Sequence, residues 1–469
     1  MHGHCCAPFE SSQPEPSMKS INPATGEEIA THEEMTQAQI DAALDRAEAT
    51  FAIWRDTPIE DRTALLTALA DAYHDNRHRL ARMATLEMGK TLKSALAEVD
   101  KCVAAFRHYA KEGPAMLEGG SITLSSGGKA DLVWLPIGAV LAVMPWNFPY
   151  WQVVRFLAPC ILAGNVGLLK HASNVQGVAA LMQDMMAQAD APEGLFQNLP
   201  IRSDAVAAII ADDRVAAVTL TGSEGAGRAV AEQAGKALKK VVLELGGSDP
   251  FIVMPSADID AAVDQAVTAR IQNTGQSCIC GKRMIVHADI YDAFLERYSA
   301  AMAAVKAGDP FAEDSDMGPL SSAEQRRSVL DQIETMKAAG ATLIGGEAAT
   351  GPGAYMQAGI LTDVPVDPTL MGEEIFGPIA MLFKASDIDD ALAIANAIPF
   401  GLGSSVWTSD PAEEARFVRD VQAGMTAVNQ MLASAPEAPF GGVKRSGHGR
   451  ELGPFGLHEF MNLKSVYRK

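Results

Sequence analysis

The chain has 469 residues, 48% of them hydrophobic and 20% charged, the composition of a globular protein rather than a disordered one. Its formal charge of −20 disfavours nucleic acid and anionic membrane surfaces as partners, since both are polyanions. No apolar run approaches the ~20 residues of a spanning helix, no signal-like start is visible, and six cysteines do not make a disulfide scaffold, so a reducing cytoplasm is expected.

Residues 1–17 carry three prolines and a His2/His4/Cys5/Cys6 cluster. That spacing matches no closed zinc pattern, so a disordered tail without metal is expected. Apolar residues at helical spacing then predict helices over 36–55, with Thr36 as N-cap, over 58–88, closed by Gly89, and over 91–111, ended by Gly113-Pro114. A hairpin follows, with strands over 121–124 and 131–135 joined by Ser125-Ser126-Gly127-Gly128.

From residue 138 the pattern becomes strand and helix in alternation. Strands are expected over 138–144, 165–170, 216–221 and 240–245, with helices over 151–162, 175–189 and 225–234 between them. A second series has strands over 251–254, 283–287, 342–344, 379–383 and 404–407, with helices over 259–272, 290–305, 323–339 and 388–396. Such alternation predicts an α/β fold of two doubly wound parallel sheets, joined near 245–250.

Four segments carry chemistry. Cys278 lies in a short polar stretch after a helix, where an exposed thiol with donors nearby suits attack on a carbonyl; a buried structural cysteine is the alternative. Glu244 ends an apolar strand and precedes Gly246-Gly247, at the strand ends where α/β sheets place their sites; it suits a general base, or else faces solvent. Asn147 is held between Pro145 and Pro149, as an oxyanion donor or as a helix N-cap. The segment 221–227, TGSEGAG, joins a strand to a helix and suits a pyrophosphate, with Lys170 ending a neighbouring strand. The absence of a GxxxxGK[ST] loop argues against an ATPase.

Together these segments resemble the aldehyde dehydrogenase superfamily. The resemblance runs from about residue 21 to the end and rests on seven motifs in order: MPWNFP (144–149), LLK (168–170), LTGS (220–223), LELGG (243–247), GQSC (275–278), EEIFGP (373–378) and PFGGVKRSGHGREL (439–452). It implies that Cys278 attacks an aldehyde, that Asn147 and the Cys278 N–H hold the oxyanion, and that Glu244 activates the water that hydrolyses the thioester. Trp146, Lys170, Gly222, Ser223, Leu245, Glu374 and Phe376 are the implied cofactor contacts, and Glu451 the implied proton relay. No metal is implied.

Three further implications concern selectivity. Ser173 stands where NAD-preferring members often carry Glu, so NAD is expected with NADP left open. The segments 144–155, 168–171 and 244–253 resemble a bacterial succinate semialdehyde subgroup, and Arg155 and Ser434 match carboxylate-binding residues of related enzymes. Gln272 replaces an Arg found in many relatives and brings no charge. Cys280 is a candidate redox partner of Cys278, with a bystander as the alternative.

The family organisation implies a cofactor domain from 18–114 and 136–244, a catalytic domain from 245–454, and a small β oligomerisation unit from 115–135 and 455–469. A homodimer or homotetramer is expected. The competing classes are a broader aldehyde dehydrogenase, a CoA-acylating relative and a non-catalytic homologue. Glu244 counts against the second, and an intact Cys278, Glu244 and Asn147 against the third.

Overall fold

The computed structural model describes residues 18–469, so the His/Cys cluster and the expected tail lie outside the described residues. The chain begins with a small antiparallel pair, Met18–Ile21 and Glu28–His32. Helix Gln37–Trp54 starts at a capping box, in which Thr36 accepts from the Gln39 N–H and the Gln39 side chain accepts from the Thr36 N–H. The helix expected over 58–88 is two, Ile59–Asp75 and Arg77–Met88. Asn76 divides them: its Nδ2 donates to the Ala72 carbonyl at 2.9 Å, and its backbone leaves the helical region at φ −99°, ψ 12°. Helix Leu92–Met116 runs past Gly113-Pro114, because a proline in the last turn costs only one backbone bond there.

The first sheet has six strands in the order Gly447–His448, Lys240–Leu245, Val215–Gly222, Ala139–Val143, Val166–Lys170, Phe196–Asn198. All pairs are parallel except the first. The order of the parallel strands reverses between Ala139–Val143 and Val215–Gly222, and the crevice beyond their carboxyl ends is where such sheets bind ligands. Every residue of helix Trp151–Ala163 is buried against this sheet and its neighbouring helices.

The second sheet has seven strands, Thr342–Gly345, Gly359–Thr362, Ile379–Ala385, Arg283–His287, Pro250–Val253, Ser405–Trp407 and Ala427–Val428. Only its edge strand Thr342–Gly345 runs antiparallel. Apolar clusters cover both of its faces. A third sheet joins Met461–Arg468 to Lys129–Pro136 and Ser121–Thr123. The α/β architecture with two parallel sheets and a small β unit is therefore the one expected. Strand Gly447–His448 lies in the stretch assigned by sequence to the catalytic unit, yet it pairs with Leu243 and Glu244 of the first sheet. That pairing brings the 439–452 motif to the end of the strand carrying Glu244.

Candidate active site

The turn after strand Ala139–Val143 carries Trp146 and Asn147. His171 holds this turn: its Nε2 lies 2.9 Å from the Pro149 carbonyl, while the Ala172 N–H donates to Nδ1 at 2.9 Å. Burial depresses the imidazole to about 4, so it is neutral at neutral pH and matches this donor and acceptor pattern. Asn147 Nδ2 donates to the Gln276 carbonyl at 3.1 Å. An amide nitrogen has two hydrogens, so one donor remains. The helix that follows, Trp151–Ala163, has no side-chain cap of its own; Glu98 supplies one by accepting the Tyr150 and Trp151 N–H groups at 2.8 and 2.9 Å, while ion-paired to buried Lys90.

The segment leading to Cys278 is held in an unusual backbone conformation. Asn273, Thr274 and Gly275 all have positive φ, at 54°, 58° and 73°. For a β-branched threonine that is a strained state, sustained only where the surroundings enforce it. A Cβ at Gly275 would lie 2.3 Å from the Gly377 carbonyl, so glycine is required. Buried Arg270 staples the segment by donating to the carbonyls of Gly275, Ile375 and Gly377. Lys282, fully buried, donates to the carbonyls of Ser277 and Cys278 at 3.0 and 2.7 Å and pairs with Glu374 at 3.2 Å.

Two cavities meet at Cys278. The first, about 260 Å³, is lined by Trp146, Asn147, Gly222, Ser223, Leu245, Glu374 and Phe376, with Glu244 beside them. It lies at the strand-order reversal of the first sheet. The second, about 210 Å³, is lined by Trp151, Arg155, Gln272, Ser434 and Phe440 and also by Lys101. Cys278 and Gln152 border both. A thiol at such a junction can meet a substrate from one side and a cofactor from the other.

The electrostatics of the junction centre on two carboxylates. Arg155 forms a buried ion pair with Glu451, donates to Thr221 Oγ1 at 3.1 Å and stacks on Phe440. Glu244 is 2% exposed, and among the described residues neither of its oxygens has a hydrogen-bond partner. Burial raises its affinity for a proton, and the neighbouring Glu451 charge raises it further, against Arg155 and Arg450. Burial raises Glu451 as well, countered by Arg155. Burial pushes the Cys278 thiol up to about 12, opposed by Arg155 and Lys282. The thiol therefore requires a base, and an unpartnered buried carboxylate is one.

Comparison with known proteins agrees with this geometry. Residues 9–466 match the aldehyde dehydrogenase family. The chain belongs to that family. It is 51% identical to the succinate-semialdehyde dehydrogenase [NADP(+)] 1 of Mycobacterium tuberculosis over 96% of this chain and 99% of the relative. The crystal structure of succinic semialdehyde dehydrogenase from Streptococcus pyogenes with NADP+ superposes with a TM-score of 0.94 at 37% identity, covering 96% of this chain and 99% of that one. PnpE from Pseudomonas sp. WBC-3, solved with nicotinamide adenine dinucleotide, gives a TM-score of 0.93 at 32% identity, over 97% and 94% of the two chains.

As an aldehyde dehydrogenase, the chain has a first cavity whose walls fit a dinucleotide. The 13-residue helix Glu224–Lys236 is N-capped by Ser223, which lines this cavity, so the helix N-terminus adjoins it. A Cβ at Gly246 would lie 2.0 Å from Glu374 Oε2, so the backbone there is bare against the cavity. Trp146 and Phe376 meet edge to face at 5.7 Å between ring centroids. Lys170 ends strand Val166–Lys170, level with Val143, and makes no ion pair among the described residues; exposed Ser173 begins the single turn Ser173–Val175, which ends on buried Val175.

Most sequence-derived candidates thus converge on these cavities. Lys170, Ser173, Glu451 and Cys280 line neither; Cys280 is fully buried, and its Sγ lies 3.8 Å from the Gln272 carbonyl. Both Cys278 and Cys280 are free thiols. Arg155 borders the second cavity, but its charge is matched by Glu451. Sequence reasoning missed Lys101, Gln152, Arg270 and Lys282. Among the described residues no cluster of side chains suits a metal, and no helix is long and apolar enough to cross a membrane.

Proposed function

We propose that the chain oxidises an aldehyde bearing a remote carboxylate, succinate semialdehyde foremost, to the corresponding acid. The observation that carries this reading is Cys278 at the junction of two cavities, one bearing the Lys101 cation, the other suited to a dinucleotide. NADP+ is the preferred cofactor and NAD+ the second. This reverses the order expected from sequence: the mycobacterial and streptococcal relatives are named for, or were solved with, NADP+. Lys170, without an ion pair, and the uncharged Ser173 suit a 2′-phosphate.

In this mechanism Glu244 takes the thiol proton, directly or through water. The Cys278 sulfur then attacks the aldehyde carbon to give a thiohemiacetal. Asn147, with its spare amide hydrogen, and the Cys278 N–H hold the oxyanion. The dinucleotide, when bound, accepts the hydride that converts this adduct to a thioester. Glu451, paired to Arg155, passes that first proton onward, so Glu244 is again a carboxylate; it then takes a proton from the water that hydrolyses the thioester and returns it to the departing Cys278 sulfur. Trp146, Gly222, Ser223, Leu245, Glu374 and Phe376 hold the dinucleotide; Arg155, Ser434 and Gln272 line the substrate side. Cys280 serves as a buried packing thiol in this reading rather than a redox partner.

The domain limits given above, a homodimer or homotetramer assembled through the three-stranded sheet, and cytoplasmic action complete the proposal. Exposed Ile122, Val133, Leu463 and Tyr467 on that sheet support the oligomer. The test is the initial rate of reduced-cofactor formation with succinate semialdehyde and with butanal, each with NADP+ and NAD+. The expected result is a large preference for the carboxylated aldehyde and for NADP+. Equal rates with both aldehydes would move the substrate to a broader class, and a requirement for CoA would refute hydrolytic release by Glu244.

A further inference from the structure

The second cavity contains one cation that no carboxylate matches. Of the charged residues lining it, Glu98 is paired to Lys90 and Arg155 to Glu451. Lys101, half-buried on helix Leu92–Met116, makes no ion pair within 4 Å among the described residues. Its Nζ donates to Ser434 Oγ at 2.7 Å and sits 4.4 Å from the centre of the Trp151 ring. Trp151 Nε1 donates to the same Ser434 oxygen at 3.1 Å.

Donor counting then fixes what the cluster lacks. A serine oxygen has two lone pairs and one hydrogen. Lys101 and Trp151 occupy both lone pairs, so the Ser434 hydrogen is left to donate. Lys101 keeps two of its three N–H groups. Gln272 lines the same cavity, and its Nε2 is buried without a partner. The cavity therefore presents hydrogens from three side chains, one of them charged, against one unpartnered buried acceptor, Gln152 Oε1, on the same wall. An anionic group with several lone pairs completes such a set, and a carboxylate is the compact choice. The ring of Trp151 keeps the ammonium charge in place by a cation–π contact.

We infer that Lys101, oriented by Trp151 and acting with Ser434, is the residue that recognises the substrate carboxylate. Arg155 instead orders Glu451 and the wall of the cavity. Burial and Arg155 lower Lys101 to about 8, against Cys102, Glu98 and Cys278, so it carries its charge at neutral pH.

The inference rests on the carboxylated substrate proposed above, and its test separates the two. The ratio of kcat/KM for succinate semialdehyde to that for butanal is measured with NADP+ for wild type, Lys101→Met and Lys101→Arg, with thermal melting as a check on folding. The expected result is a ratio well above one in wild type, at least tenfold lower in Lys101→Met through KM, and partly restored by Lys101→Arg. A wild type that prefers the carboxylated aldehyde with an unchanged ratio in a folded Lys101→Met overturns the inference alone. A wild type with no preference overturns both readings. If Lys101→Met does not fold, Ser434→Ala must lower the ratio in the same direction, and an unchanged ratio there refutes the inference.

Discussion

Arg155 and Glu451 form a buried ion pair beneath the junction of the two cavities, and Glu451 raises the proton affinity of Glu244 next to it. Arg155 is thus committed to a carboxylate of the protein. Removing one member of a buried pair leaves an uncompensated charge and costs about 3–5 kcal/mol. Arg155→Ala is therefore expected to lower the melting temperature and to reduce turnover of succinate semialdehyde and butanal alike. A loss confined to the carboxylated aldehyde, in a protein of unchanged stability, would show that Arg155 binds substrate instead.

Glu244 has the opposite stability signature. Its raised proton affinity means that the folded protein holds a proton the unfolded chain releases above about 4.3. The stabilisation is full in acid and is lost as pH rises through the folded value. Glu244→Gln removes this dependence. Melting curves should show a gain for the variant at pH 8 and none at pH 4, while kcat falls by about 10²–10⁴-fold, the usual contribution of a general base. A variant less stable at pH 8 would contradict the unpartnered carboxylate.

His171 carries a different pH dependence. Its depressed value of about 4 means that the folded protein prefers the neutral ring. The corresponding stability is present above the unfolded value of about 6.5 and is lost progressively as pH falls toward 4. Comparing wild type with His171→Gln by melting temperature should show a shallower acid loss in the variant. Because the ring holds the turn bearing Asn147, the variant should also lose kcat more than it raises KM.

On the proposed reading, Lys170 and Ser173 set the cofactor choice. Lys170→Ala should raise the KM for NADP+ more than that for NAD+, since only the former offers a 2′-phosphate. Ser173→Glu should shift the preference toward NAD+ by like-charge repulsion of that phosphate. Fluorescence titration of both cofactors measures each ratio; identical shifts for the two would place the phosphate elsewhere.

What could be read from sequence and what could not divides along contact range. Cys278, Glu244 and Asn147 lie at the ends of elements, next to glycines or prolines, so their local patterns announced them. Most strands of both sheets were visible as short apolar runs, but Gly359–Thr362, Ala427–Val428 and Gly447–His448 were not. Elements below the length of a clear period were not: strand Phe196–Asn198 has three residues and helix Val206–Ala211 six. The split at Asn76 was hidden because both helices keep one apolar period across it. Lys101 meets Ser434 across 333 positions, and Arg270 meets Ile375 across 105, separations no local pattern records. The pairing of Arg155 with Glu451 has the same origin, since the two lie far apart along the chain. The one accessible signal for Lys282 was a lysine four residues after the nucleophile, which by itself says nothing about which carbonyls it reaches.

The most direct test of the central claim is to quench the enzyme in acid during turnover with succinate semialdehyde and NADP+, then locate any acyl group by peptide mass spectrometry. A succinyl thioester on Cys278 is the expected result, with none in Cys278→Ala. NADPH accumulating without acylation, or an acyl group on any other side chain, would contradict it.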